Sequence, residues 1–510
     1  MPPTKYLAHQ LPDPYHPERT RYVHGNCPKS SKSPIVIPAR FVTACQFGHL
    51  DDFPWLFFVH RGGSECRGPL ELREYGVTGT ASDVSVKCRT CQQSRVMSEA
   101  FGESGEKNMP RCRGRHPHLR KFDDEGCTKQ METILLGASN SWFPITLSAI
   151  TLPIESSKAV QLVEKHWAVL ENATSLDQLQ AMLSTLRVLR QLPELVNQPE
   201  SHIWEEIQRR RDGTTAEGEV DLKTPEWRIF AGIDPVQNTP DFQVRRVAPP
   251  VNYEPFFSQV VLLETLREVR ALVGFTRIES PHDANDTGEI LEERWAPIGR
   301  GEVKWVPATE IRGEGIFLQF NEPELQRWER ETPGLDRFRS QTVKAHRAWR
   351  QARQLNPDAG FPGLRYLLIH SFAHALMREL ALECGYTAAS LRERIYSRYP
   401  QEDDGPQAGV LLYTAAPDSE GTLGGLVALG EPEILGRHIE RAIEALHLCA
   451  SDPLCAEHDP AQVTATLHWA ACHSCLFSPE TSCERGNRYL DRAVISSTVK
   501  FPALAYFRSR

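Results

Sequence analysis

Leu448-Cys-Ala-Ser-Asp-Pro-Leu-Cys455 and, further on, Ala471-Cys-His-Ser-Cys-Leu-Phe-Ser-Pro-Glu-Thr-Ser-Cys483 bring five cysteines into one short span. The run closes on Asn487, Leu490, Asp491 and Arg492. Cys472 and Cys475 form a C-x-x-C turn, the spacing that lets two thiolates reach one tetrahedral ion from a single loop. With Cys455 upstream and Cys483 downstream, four sulfurs can converge, and Cys449 is a spare or alternative ligand. A structural zinc site closing a C-terminal domain is expected. The alternatives are cysteines buried as small core residues, or a redox pair, but no thioredoxin-like strand and helix flank this turn.

Composition sets the frame for that site. At 510 residues the chain exceeds one hydrophobic core, and roughly three or four domains are expected. Its 58 Lys and Arg against 66 Asp and Glu leave a net charge of -8, so strong non-specific DNA binding by this chain alone is not expected. A local basic stripe would still suffice for phosphate contact. No apolar run approaches the ~20 residues that span a bilayer. Met1 to Gln10 lacks the basic-then-apolar order of a signal peptide, so a cytoplasmic location with reduced thiols is expected. Thirteen cysteines bunched towards the two ends then argue for metal rather than disulfides.

The other cysteine-rich region begins after residues 1–34, which are rich in Pro, Tyr, His and Ser and read as an extended arm. Cys88 and Cys91 form a second C-x-x-C, and Cys112 and Cys127 return later, the layout of a zinc ribbon. Cys45, His49, His60 and Cys66 make a looser set for another ion, although both histidines suit a surface or a hydrogen-bonded core equally well. Arg111, Arg113, Arg115, Arg120 and Lys121 share a loop with Cys112, which zinc would hold rigid against phosphates. The alternative is a loop that neutralises Asp123, Asp124 and Glu125 beside it.

Apolar residues from Val160 to Leu189 recur at three- and four-residue steps, which predicts helices over 156–211, with a linker over 213–222. Phe256 to Val273 has helical spacing, whereas Phe275 to Arg277, Val303 to Val306 and Gly315 to Phe320 look like strands. Residues 280–293 read as an acidic loop, and 322–355 as charged helix. Phe361 to Leu382 is the clearest buried helix, ended by Gly385. His370 and His374 stand one turn apart on it but lack the glutamate of a metalloprotease motif, so a packed pair is favoured. Gly409 to Thr414 is a buried-strand candidate, and the Gly-rich run after it, 418–426, reads as a tight turn. The fold class expected is mixed α+β with several domains: an arm (1–34), a zinc-ribbon-like domain (35–150), a helical segment (151–212), a mixed α/β region (213–355) and an α/β C-terminal domain closed by the cysteine cluster (356–510).

No Gly-Lys dipeptide occurs anywhere, which removes a P-loop, and neither a G-x-S-x-G elbow nor a kinase set is present. The residues therefore suggest a zinc-stapled scaffold without a catalytic centre. The rival readings are a metal-dependent hydrolase or nuclease using His370, His374 and Asp418 or Glu420, and a pure scaffold without nucleic-acid contact.

Five motifs carry a family resemblance: His370-Ser-Phe-Ala-His-Ala-Leu, Ala388-Ala-Ser-Leu-Arg-Glu-Arg-Ile-Tyr, the run Tyr413 to Leu426, Ala471-Cys-His-Ser-Cys, and Asn487-Arg-Tyr-Leu-Asp-Arg. They resemble a helicase-associated domain found C-terminal to superfamily-two helicases or in a separate protein beside one. The stand-alone form is the DrmB family of the bacterial anti-phage system DISARM, which Ala44 to Trp55 and Gly137 to Pro144 also resemble. The resemblance implies a subunit that works with DrmA, a helicase carrying the ATPase motifs, in a complex that engages foreign DNA. A methyltransferase and a nuclease subunit are further partners it suggests. It also implies structural Zn2+ at Cys449, Cys455, Cys472 and Cys475, with Cys483 as a fifth thiol.

Overall fold

The segment from Phe256 to Val273, helical by its spacing, is a strand. In the structure, a computed structural model, Phe257–Thr276 forms one strand of 20 residues. Val260, Val261, Leu262 and Leu263 are all fully buried. Both faces of the strand are covered there, so the sequence is continuously apolar rather than alternating, and spacing alone cannot separate such a strand from a helix. The structure describes residues 10–11, 15–16, 21–24, 35–36, 39–76, 80–153, 162–163, 165–196, 199–211, 221–280, 295–301, 303–385, 387–414, 425–462 and 466–508. Residues 213–220 of the expected linker (213–222), 281–293 of the acidic loop (280–293) and 418–424 of the Gly-rich turn (418–426) lie outside these residues.

Contacts divide the chain into two compact units. The first comprises Met1–Ile145, Val273–Pro281 and Ile290–Trp305; the second comprises Thr146–Leu272, His282–Glu289 and Val306–Arg510.

The first unit is built of small sheets. Glu132–Leu135, Phe41–Ala44 and Leu50–Asp52 make one three-stranded sheet, and Leu70–Glu74, Val84–Cys88 and Ser94–Val96 another. Within the expected arm, Gln10–Leu11 pairs with Arg21–Val23. The core is modest: Phe41, Phe53, Phe58, Val84, Val86 and Met97 pack with Cys45, Cys88 and Cys112. A core that small needs staples, and cysteines are built into it.

The second unit is a mixed α/β structure around one antiparallel sheet that is covered on both faces. Phe257–Thr276, Ala308–Phe320, Gln407–Thr414 and Leu391–Arg398 pair antiparallel in turn, with Phe143–Ile150 beyond the first of them. Strands of residues 213–355 and 356–510 thus share one sheet. Val303 to Val306 is not a strand. The expected charged helix over 322–355 is two helices, Glu322–Glu331 and Leu335–Ala352.

Helix Gly363–Cys384 lies against this sheet and is buried without a break from Gly363 to Met377. Being apolar nearly all round, it is a core element rather than an amphipathic one. Phe372 contacts Phe257 and Phe320 on the sheet, at ring separations of 5.4 and 5.6 Å. Trp469, Tyr489, Leu490 and Val494 complete the same core from the C-terminal segment. Gly385 stops the helix at φ 69, a left-handed position that favours glycine.

Alternation on the edge strand Leu391–Arg398 sends Leu391, Glu393 and Ile395 towards this helix, and Arg394 and Tyr396 to the opposite face. There Arg394 and the Tyr396 hydroxyl bind the buried Glu226 carboxylate. Residues 162–211 form a satellite of short helices around Leu170, Leu179, Leu183 and Ile203. No helix among the described residues is long and apolar enough to cross a membrane.

Candidate metal centres

Among the described residues, four groups of four ligand-bearing side chains come together, each with its ligand atoms within 4.8 Å of one another. A zinc–thiolate bond of ~2.3 Å makes the edge of a sulfur tetrahedron about 3.8 Å. A disulfide would need sulfurs at ~2.05 Å. That contrast decides the chemistry of the C-terminal cluster. Cys449 and Cys472 lie 3.4 Å apart, Cys455 and Cys475 3.7 Å, and Cys472 and Cys475 3.8 Å, sulfur to sulfur. Hydrogen bonding from Cys455 holds the Cys475 thiol down to about 5, and the same bond pushes Cys455 up. Four thiolates this close repel unless a cation sits among them, and the set suits zinc.

The loops are held by the closing motif. Asp452 accepts from the Cys449 and Ala456 amides at 3.0 and 3.1 Å. The buried Arg492 guanidinium grips both oxygens of that carboxylate and also donates to the Leu446 carbonyl at 2.8 Å. Arg492 therefore positions the carboxylate that shapes the metal loop.

Cys483 does not join that cluster, contrary to the spacing-based expectation, whereas Cys449 does. Cys483 meets His370, His374 and Glu393 instead, all four fully enclosed. The chain between Cys475 and Cys483 leaves the C-x-x-C turn and runs to the edge strand, where Glu393 donates its amide to the Ser482 carbonyl at 3.2 Å. The favoured packed histidine pair is thus part of a four-residue polar cluster in the core.

The N-terminal ligands also pair differently from the expected ribbon. Cys88 and Cys91 converge with His60 and Cys66, and Cys112 and Cys127 with Cys45 and His49. The arrangement is nested, with the outer pairs sharing one site and the inner pairs the other. Spacing finds the knuckles but cannot say which return pair folds back onto which.

In the inner site, Cys66 lies 3.6 Å from Cys88, and Cys91 lies 3.3 Å from His60 Nε2. His60 Nδ1 donates to the Leu56 carbonyl at 2.8 Å, which leaves the Nε2 lone pair facing the sulfurs. Amides of the turn, Cys91 first, hold the Cys88 thiol down to about 6. In the outer site, His49 presents Nδ1 to Cys45 at 3.3 Å, and its Nε2 is fixed by Asp123 at 2.6 Å. The Gly114 amide donates to Cys112 sulfur at 3.3 Å. Cys112 holds the Cys45 thiol down to about 4 and is itself pushed up.

The basic loop is largely engaged already. Arg113 reaches Asp51 at 2.6 Å, and Arg115 reaches Asp51 at 2.7 Å and Asp52 at 3.0 Å. Lys121 lies 3.9 Å from Asp124, and Arg111 and Arg120 are exposed. The neutralising partners are chiefly Asp51 and Asp52 rather than the expected acidic run, whose Asp123 serves His49 and His116.

Sequence reasoning missed Glu393, Asp452 and Arg492 as supporting or candidate ligand groups. Glu393 left a trace, an acid on the inward-facing phase of the Leu391–Arg398 alternation.

Two family models match. "Domain of unknown function (DUF8724)" covers residues 7–143, and "MrfA Zn-binding domain" covers residues 372–476, including all four cysteines of the C-terminal cluster. Among solved structures, the DUF1998 helicase MrfA bound to DNA is similar at 11% identity and a TM-score of 0.20, over 43% of this chain and 22% of that one. A curated relative, DISARM protein DrmB of Bacillus paralicheniformis, is 31% identical over 500 residues, 96% of this chain and 85% of the relative. On that near full-length identity, the chain belongs to the DrmB family of DISARM proteins.

Proposed function

We propose that this chain is a non-catalytic, zinc-stapled subunit of a DISARM defence complex that pairs with a DrmA-like superfamily-two helicase and meets DNA within that complex. The observation that carries the reading is the 31% identity to a DISARM protein over 96% of the chain. The missing Gly-Lys dipeptide supports it, because a motor would then have to come from a partner. The MrfA Zn-binding domain match supports a helicase-linked role for residues 372–476.

Zinc in this reading is structural, held by Cys449, Cys455, Cys472 and Cys475, by Cys45, His49, Cys112 and Cys127, and by His60, Cys66, Cys88 and Cys91. Each set supplies four protein ligands and leaves no position for substrate. The hydrolase alternative fares worse, since His370 and His374 are wholly enclosed.

For DNA, the exposed face of helix Leu335–Ala352 competes with the loop from Arg111 to Lys121. It presents Arg337, Arg339, Lys344 and Arg347, of which Arg347 pairs with Asp358 at 2.7 Å and Arg339 lies 3.8 Å from Asp336, whereas Arg113 and Arg115 are both drawn to the buried Asp51. Replacing Arg337, Arg339 and Lys344 with alanine should weaken DNA binding by the complex and reduce its salt slope by about 0.9 for each phosphate no longer neutralised. Replacing Arg111, Arg113 and Arg115 should act less. Unchanged affinity and slope in both variants would remove DNA binding from this chain's role.

A further inference from the structure

We propose that His370, His374, Glu393 and Cys483 form a further metal site, a closed structural centre for a zinc-like divalent cation in the heart of the second unit. The site is assembled from three elements. Helix Gly363–Cys384 supplies the two imidazoles one turn apart, the edge strand supplies Glu393, and the C-terminal loop supplies Cys483. Nε2 of His370 lies 3.0 Å from Glu393 Oε1 and 3.1 Å from Cys483 sulfur, and Nε2 of His374 lies 3.4 Å from the same Glu393 oxygen. In a tetrahedron with zinc–nitrogen and zinc–oxygen bonds of ~2.0–2.1 Å and a zinc–sulfur bond of ~2.3 Å, such edges are about 3.3–3.6 Å. A shift of a few tenths of an ångström accommodates the ion.

Hydrogen-bond accounting leaves a place for a metal. His374 Nδ1 meets the Leu476 carbonyl at 2.8 Å, so the neutral ring carries its proton there. Its Nε2 is then a bare lone pair aimed at a carboxylate, and that atom has no hydrogen-bond partner although it is fully buried. Glu393 Oε2 is buried and partnerless as well. Two anions and two neutral imidazoles would leave a double negative charge enclosed in the core, which a dication cancels.

The treatment of Cys483 points the same way. The Arg485 and Asn487 amides donate to its sulfur at 3.4 and 3.2 Å. The amide two residues on from Cys112 and from Cys449, in two of the thiolate clusters, does the same at 3.3 and 3.4 Å. Backbone donors aimed at sulfur stabilise a thiolate, the form that binds metal.

Two nitrogens, one oxygen and one sulfur suit zinc among the common divalent ions. With no exposed ligand the centre is structural, pinning helix, edge strand and C-terminal loop together. It also adjoins the four-cysteine cluster, because Leu476 follows the ligand Cys475 and accepts the His374 proton.

The test is zinc per chain in the full-length protein, by native mass spectrometry and elemental analysis, for wild type and for Cys483→Ala. The expected result is four ions in wild type and one fewer in the variant. Three or fewer in wild type, or an equal count in a folded variant, overturns the proposal. Should the variant not fold, anomalous scattering at the zinc edge from wild-type crystals decides. A peak among the four side chains upholds the site, and its absence from crystals that show the cysteine-cluster zinc rejects it.

Discussion

Arg492 is 1% exposed and commits its guanidinium to Asp452 and a backbone carbonyl, so removing it leaves a charge without its partner inside the loop that shapes a metal cluster. Arg492→Ala should cost about 1.5–3 kcal/mol in denaturant unfolding, the range for losing hydrogen bonds to a charged group, since Asp452 keeps 19% of its side chain exposed. A cost under about 0.5 kcal/mol, typical of surface changes, would show that Arg492 is no clamp. Its neighbour Asp491 gives a pH signature. Burial pushes this carboxyl from 3.8 up to about 7. A raised folded value means that the contribution is fully present below 3.8 and is lost as pH rises through about 7. Wild type should therefore lose stability relative to Asp491→Asn across that window and run parallel to it above, as thermal melts at stepped pH would show. The motif Asn487 to Arg492 is legible in the sequence as a motif, but its job is not. That Arg492 reaches back to Asp452 follows from long-range packing, which spacing along the chain does not encode.

The elements show where sequence and structure part company. The buried helix is readable because Gly363–Cys384 is apolar over most of its length and ends on a left-handed glycine. Spacing misreads Phe257–Thr276 because a strand covered on both faces loses its alternation. The cysteine knuckles are readable too, since C-x-x-C is local, but their pairing is not. The nested arrangement makes a sharp prediction. Replacing Cys88 and Cys112 together should remove two zinc ions per chain, because the two residues serve different sites. A single ribbon holding both would lose one. Replacing Cys88 and Cys91 together should remove one and leave the outer site loaded. Elemental analysis of the two double variants distinguishes these outcomes.

At the scale of the whole molecule, the ligand clusters stand where a larger core would in the first unit, with Cys45, Cys88 and Cys112 among the buried apolar residues. In the second unit the sheet and buried helix are extensive, and Cys483 of the C-terminal segment meets His370, His374 and Glu393 there. Closed four-ligand sets of this kind give rigidity rather than an open coordination position, which suits a companion to a motor. The most direct measurement is therefore co-purification of the tagged full-length chain with a DISARM superfamily-two helicase expressed beside it, followed by ATPase assays on the complex and on each part alone. The account predicts a stable complex whose ATP hydrolysis persists with the helicase alone and is absent from this chain. A chain that hydrolyses ATP by itself, or that never associates with the helicase, would contradict it.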